Sequence, residues 1–193
     1  MKHDLKVISL ALLATAATIT GCKKDEDDPV TPAPPPNEEE LITTLELHFH
    51  SSGGAEHKHF KFTDLDGDGG NAPVIMADTL SADSLYSVEI EVLNESETPA
   101  EDITAEITDE DEDHQFFFQV SGANATVVYA DADANGNPVG LASTWTIGAA
   151  SNGTVVVTLR HEPNKSAAGV SSGDITNAGG DTDIEVTFPV VIE

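Results

Sequence analysis

The chain has 193 residues, with 35 Asp and Glu against 8 Lys and Arg, for a formal charge of -27. Such a charge repels nucleic-acid phosphates and anionic lipid headgroups, which excludes both as partners of the folded part and leaves cations as the natural counterpart. The length suits one domain, and 39% hydrophobic residues with only 5% aromatics supply a core that is not rich in rings.

Lys2 and Lys6 precede an apolar run over residues 7–19, too short to span a bilayer comfortably but built like the charged start and apolar middle of a secretory signal. The run closes on Ile19-Thr20-Gly21-Cys22, which resembles the bacterial lipobox. That resemblance implies removal of residues 1–21 and acylation of Cys22, anchoring the protein to a lipid bilayer. Cys22 is the one cysteine, so no intrachain disulfide competes for it. Removal of residues 1–21 also takes away Lys2, Lys6 and Asp4, leaving the remainder more acidic still. The following Lys23-Lys24-Asp25-Glu26-Asp27-Asp28 resembles the surface-export signal of Bacteroidota lipoproteins. From Pro29 to Glu40 the chain continues with five prolines and three glutamates, completing over residues 22–40 a tether in which polyproline II and charge repulsion favour extension at about 3 Å per residue.

Residues 41–193 read as one all-β domain. Apolar side chains recur at period two, and β-branched residues gather in short runs between Gly, Asn, Asp and Pro, predicting strands near 42–50, 57–63, 74–80, 84–94, 114–121, 125–131, 141–148, 153–161 and 183–192. The fold class that follows is a two-sheet, immunoglobulin-like β-sandwich of about seven to nine strands.

The first two strands carry the sharpest constellation. Four of the seven histidines, His48, His50, His57 and His59, fall in one twelve-residue window around Ser51-Ser52-Gly53-Gly54-Ala55-Glu56. If facing residue numbers sum to 107, His50 faces His57, His48 faces His59, Glu46 faces Lys61 and Leu47 faces Phe60. Leu45, Leu47, Phe49, Phe60 and Phe62 then share the buried face, and all four imidazoles share the other. Cross-strand neighbours about 5 Å apart could gather around one metal, and imidazole donors suit zinc or copper.

Asp64, Asp66 and Asp68 with Gly69 match the front of a calcium-binding loop, and Asp131, Asp133 and Asn135 with Gly136 do so more loosely. Position twelve is Ile75 in the first and Ala142 in the second, so both lack the closing bidentate glutamate; weak calcium binding competes with a plain Asx/Gly turn in each. A short helix is predicted near 99–108, where Thr98-Pro99-Ala100-Glu101 offers a capping box and Ile103 and Ile107 are four apart. The carboxylates at 109–113 oppose the helix dipole and should end it. Phe116, Phe118 and Val120 share one strand face, as do Leu141, Trp145 and Ile147, and both faces should point into the core. His114 opens the first of these strands, and His161 ends the face of Val155, Val157 and Leu159. Both fit strand-end histidines satisfied by their surroundings; a haem held between them would require the two to meet beside an apolar pocket.

The segments Gly21-Cys22-Lys23-Lys24, Glu38-Glu39-Glu40-Leu41-Ile42-Thr43-Thr44, Asp64-Leu65-Asp66-Gly67-Asp68-Gly69-Gly70, His114-Gln115-Phe116-Phe117-Phe118 and Asn135-Gly136-Asn137-Pro138 together resemble a group of small all-β Bacteroidota lipoproteins, over nearly the whole chain. Such proteins are sometimes labelled as containing a type 1 periplasmic-binding domain, a fold of two α/β lobes; the period-two pattern here implies strands instead. The resemblance implies location, an outer-membrane lipoprotein facing the cell surface or the periplasm, and no site residues.

Two enzyme readings fail on context. Gly169-Val170-Ser171-Ser172-Gly173 matches the nucleophile-elbow string but lies in a Ser/Gly/Asn loop without the strand and helix that motif needs. Paired carboxylates are inevitable among 35 acids, and the aromatic platforms of a sugar cleft are scarce. The expected function is therefore non-enzymatic: metal capture at the hairpin, with delivery to an outer-membrane receptor. The alternatives are a structural or adhesive module with calcium-stiffened loops, or a haem-binding lipoprotein.

Overall fold

Leu45, Leu47 and Phe49 alternate with Glu46, His48 and His50, and this period-two pattern folds as strand β1, Thr44–Ser51, paired antiparallel with β2, His57–Thr63. Their register runs from Thr44 opposite Thr63 to His50 opposite His57, the pairing read from the sequence. The structure, a computed structural model, describes residues 41–67, 69–96 and 98–193. The expected export signal (1–21), Cys22, the tether (22–40) and Asp68 lie outside the described residues.

Eight further strands follow among the described residues: β3, Val74–Ala77; β4, Leu85–Asn94; β5, Glu101–Asp102; β6, His114–Ser121; β7, Ala125–Tyr129; β8, Ala142–Ile147; β9, Ser151–His161; and β10, Asp181–Ile192. They form two sheets, as an all-β sandwich requires. The larger has the order β3-β2-β1-β4-β8-β7, with β5 adding to β4; the smaller is β10-β9-β6. β3 ends at Ala77, short of the expected 74–80 strand, and Leu80 instead bridges in parallel to Ile192, so the chain steps from the larger sheet to the smaller directly after β3.

Between the sheets the aromatic side chains meet. Trp145 contacts Phe49 at 5.1 Å and Phe118, from the opposite sheet, at 5.9 Å; Phe60 meets Phe188 across the same gap at 5.7 Å. Edge-on and tilted contacts of this kind add to the area that the rings bury. Phe117 departs from simple alternation. It points away from this core yet is fully buried, because the loop carrying Val170 and Ala178 folds over it as a second, smaller cluster.

Among the described residues one α-helix is present, α1, Ile103–Asp109. Its start corrects the expected capping box. Glu101 and Asp102 pair with Asn94 and Leu93, and the cap is Asp102, whose carboxylate accepts from the Ala105 N–H. Ile103 and Ile107 are buried as their spacing requires, and the helix ends where the carboxylates of 109–113 begin. Gly169-Val170-Ser171-Ser172-Gly173 forms a single 3-10 turn, Val170–Ser172, flanked by two left-handed glycines, and not a strand-to-helix elbow. Among the described residues no helix is long and apolar enough to cross a membrane.

Candidate metal centre

Strand β1 is an interior strand, and its second neighbour builds the site further. On the outer face Glu46 lies between Lys61 and Glu91, His48 between His59 and Glu89, and His50 between His57 and Ser87. Three rows across three strands thus place four imidazoles beside three carboxylates. The carboxylates of β4 went unrecognised in the sequence because sheet order is not encoded in local spacing. The strict alternation of Tyr86, Val88, Ile90 and Val92 inward does send Glu89 and Glu91 outward.

The imidazoles subdivide into two pairs. His48 and His59 stand edge to face at 5.0 Å, and with Glu46 their ligand atoms lie within 4.8 Å of one another. His59 Nδ1 donates to Glu46 Oε1 at 2.8 Å, leaving Nε2 to present a lone pair. This carboxylate–histidine arrangement is the one that orients metal-binding imidazoles. Burial pushes the Glu46 carboxyl up, but hydrogen bonds from Lys61 and His59 outweigh it and hold the group below the usual carboxylate range. His48 Nε2 is 3.5 Å from Glu91. The second pair is His50 and His57, whose Nδ1 atoms share a hydrogen bond at 2.7 Å.

The turn that joins the two strands is tied down. Glu56 donates its N–H to Ser51 Oγ, and its carboxylate accepts from the hydroxyls of Ser81, at 2.8 Å, and Tyr86, at 2.9 Å. Those two hydroxyls hold the Glu56 carboxyl below its usual range. Beside the imidazoles a depression of about 400 Å³ is walled by Glu89, Glu91 and Asp102.

The aspartate loops are built as turns. Asp64 Oδ1 accepts from the Gly67 N–H, and Asp66 Oδ2 accepts from both the backbone and the side chain of Asn71. Hydrogen bonds from Asn71 depress the Asp66 carboxyl. In the second loop Asp131 accepts from the N–H groups of Gly140 and Ala142. Asp133 accepts from those of Asn135 and Asn137, and its side chain pairs with Lys165 at 3.1 Å.

His114 and His161 do meet. They are register partners of β6 and β9, on inward faces, with nearly parallel rings 4.8 Å apart. This geometry corrects the haem reading: axial ligands stand on opposite faces of a macrocycle, and rings stacked this closely leave no gap for one. A third residue joins them. β10 bulges between Thr182 and Ile184, bringing the buried Asp183 carboxylate within 3.9 Å of His114 and 3.8 Å of His161. The sequence signal was available for the histidines, whose positions continue the inward parities of Phe116, Phe118 and Val120 and of Val155, Val157 and Leu159. It was absent for Asp183, which the bulge moves out of phase.

The described residues therefore contain two His/Glu/Asp groups that could hold a metal ion. No protein-family model, no curated protein and no solved structure matches the chain.

Proposed function

We propose that the protein is a non-enzymatic, lipid-anchored binding protein of the cell envelope that captures zinc or copper on the outer face of β1 and β2. The observation that supports this reading is the set of four imidazoles on one solvent-facing surface, with His59 oriented by Glu46 and acidic walls alongside. A folded sheet does not need histidine at those positions, since their face lies outside the core. Neutral imidazole is a borderline-soft donor suited to both metals, and the net charge of -27 concentrates cations near the surface. The anchor at Cys22 and a location at the outer membrane complete the proposal, with transfer to a membrane receptor as the step that would follow capture.

Isothermal calorimetry with Zn²⁺ and Cu²⁺ near pH 7.5 should show a site tighter than about 10 µM, with Ca²⁺ as the control. Binding should weaken severalfold by about pH 5.5, because a proton and a metal compete for the same imidazole nitrogen, which ordinarily titrates near pH 6.5. The variant carrying alanine at His48, His50, His57 and His59 should lose this site while keeping its strand-dominated circular dichroism. Unchanged zinc uptake and affinity in that variant would remove the hairpin from consideration and make the acidic surface or the His114 and His161 region the better candidate.

The location has its own check. Cys22→Ser should leave an unlipidated or unprocessed precursor, read by loss of detergent partition; normal partition of that variant rejects the anchor.

A further inference from the structure

His114, His161 and Asp183 belong to the smaller sheet, away from the hairpin, and their surroundings differ in kind. The His114 and Asp183 side chains are fully buried, and that of His161 is 12% exposed. Each comes from a different strand: His114 from the first residue of β6, His161 from the last of β9, Asp183 from the bulge near the start of β10. The cluster thus sits where all three strands of that sheet come together at one end.

The orientation of His114 is fixed by what lies behind it. His114 Nδ1 is 3.2 Å from the Glu110 carbonyl oxygen, which can only accept, so Nδ1 carries a hydrogen and Nε2 is the ring nitrogen that faces Asp183, at 3.9 Å. A backbone carbonyl behind one imidazole nitrogen is the support that ligating histidines generally have. Glu110 itself caps α1, and the Glu162 N–H bonds to the Asp113 carbonyl at 2.6 Å, so the acidic turn is pinned against the end of β9.

The separations suit an ion. Two ligands each bound to tetrahedral zinc at 2.0–2.1 Å stand about 3.3 Å apart. The carboxylate oxygens of Asp183 stand 3.9 and 3.8 Å from the two imidazole nitrogens, and all three ligand atoms lie within 4.8 Å of one another. Small side-chain rotations close that difference without moving a strand. Access runs past His161, the one of the three whose side chain is not fully buried.

We infer that His114, His161 and Asp183 form a second, buried site for a divalent transition-metal ion of the zinc class, which clamps β6, β9 and β10 together at one end of the smaller sheet. Two imidazoles and one carboxylate supply three of four tetrahedral positions, and the partial exposure of His161 leaves the fourth to water. Binding only the folded state, the ion adds stability that grows with the logarithm of its free concentration. This site does not depend on the hairpin: either can exist without the other.

The test uses the purified protein with His48, His50, His57 and His59 replaced by alanine, stripped with chelator, so that the hairpin contributes nothing. Zinc titration should still show one bound equivalent, with a rise in the thermal unfolding midpoint. Cobalt(II), a spectroscopic substitute, should give the visible absorption of a tetrahedral centre. Adding His161→Gln or Asp183→Asn should weaken zinc at least about tenfold and remove both signals. These two substitutions preserve shape, and circular dichroism in the absence of metal confirms that each variant is folded; an unfolded one is replaced by His161→Asn, the shorter amide. Absence of zinc uptake in the hairpin-free protein overturns the inference, as does uptake that the His161 and Asp183 substitutions leave unchanged.

Discussion

Replacing Trp145 with alanine should destabilise the protein by about 3–5 kcal/mol, the range for removing a fully buried tryptophan from a core that cannot collapse around the void. Trp145 has no exposed surface, and its ring touches Phe49 of its own sheet and Phe118 of the facing one. Its indole N–H donates to Ser143 Oγ at 3.0 Å, so truncation also deprives a buried hydroxyl of its donor. Neither sheet can close the gap by itself, because each side chain around it is held by its own ladder. Urea unfolding followed by circular dichroism measures the change, and a loss under about 1 kcal/mol would mean that the two sheets do not depend on this contact. Trp145→Phe, which keeps a ring and loses the N–H, should retain much of the stability.

Lys165→Met should cost about 3 kcal/mol at neutral pH, because removing one partner of a buried ion pair strands the other charge. The Lys165 and Asp133 side chains are 5% and 1% exposed, and the ammonium also donates to the Asp111 carbonyl. The two backbone N–H groups that still reach Asp133 in the variant place the loss at the lower end of the usual range. The pH dependence identifies the cause. Burial pushes the Asp133 carboxyl up, but the Asn137 N–H and the Lys165 ammonium outweigh it, and the group sits below its ordinary value of 3.8. A depressed carboxyl contributes stability that is complete above the unfolded-state value and is lost as pH falls through the folded one. The difference between parent and variant should therefore be widest above about pH 4.5 and should narrow below pH 3.8, where Asp133 begins to take a proton and no longer needs the cation. A gap that stays constant from pH 7 to about pH 3 would assign the loss to packing of the lysine stem instead. Restoring neutrality with Asp133→Asn in the same chain should recover part of the stability.

The parts of the molecule that were legible before the structure share a property: each depends on neighbours close in sequence. The β1–β2 register follows from a short turn and from alternation that permits only one buried face. The inward faces of β4, β6, β8 and β9 follow from parity. What was not legible depends on which strands become neighbours. Nothing in the run Leu85-Tyr86-Ser87-Val88-Glu89-Ile90-Glu91 says that it will lie beside β1 and bring its glutamates to the imidazoles. The helix start moved because Glu101 and Asp102 found a strand to pair with, which turned the expected first turn into an extension of the sheet. Asp183 escaped notice because one bulge reverses which side of β10 faces the core, and period-two reasoning has no means of detecting it.

The interior position of β1 also governs how the domain bears load. Antiparallel hydrogen bonds lie across the strand direction, and β1 has them on both sides, to β2 and to β4. A pull applied to the chain ahead of Leu41 runs along β1 and strains both ladders in shear, so their bonds must give way together and not one after another from an end. The turn at its far end, braced by Glu56 against Ser81 and Tyr86, resists the same displacement. A protein held from that side keeps its imidazole face intact under tension until the whole strand slides, which makes this sheet order mechanically suited to a molecule held at that end.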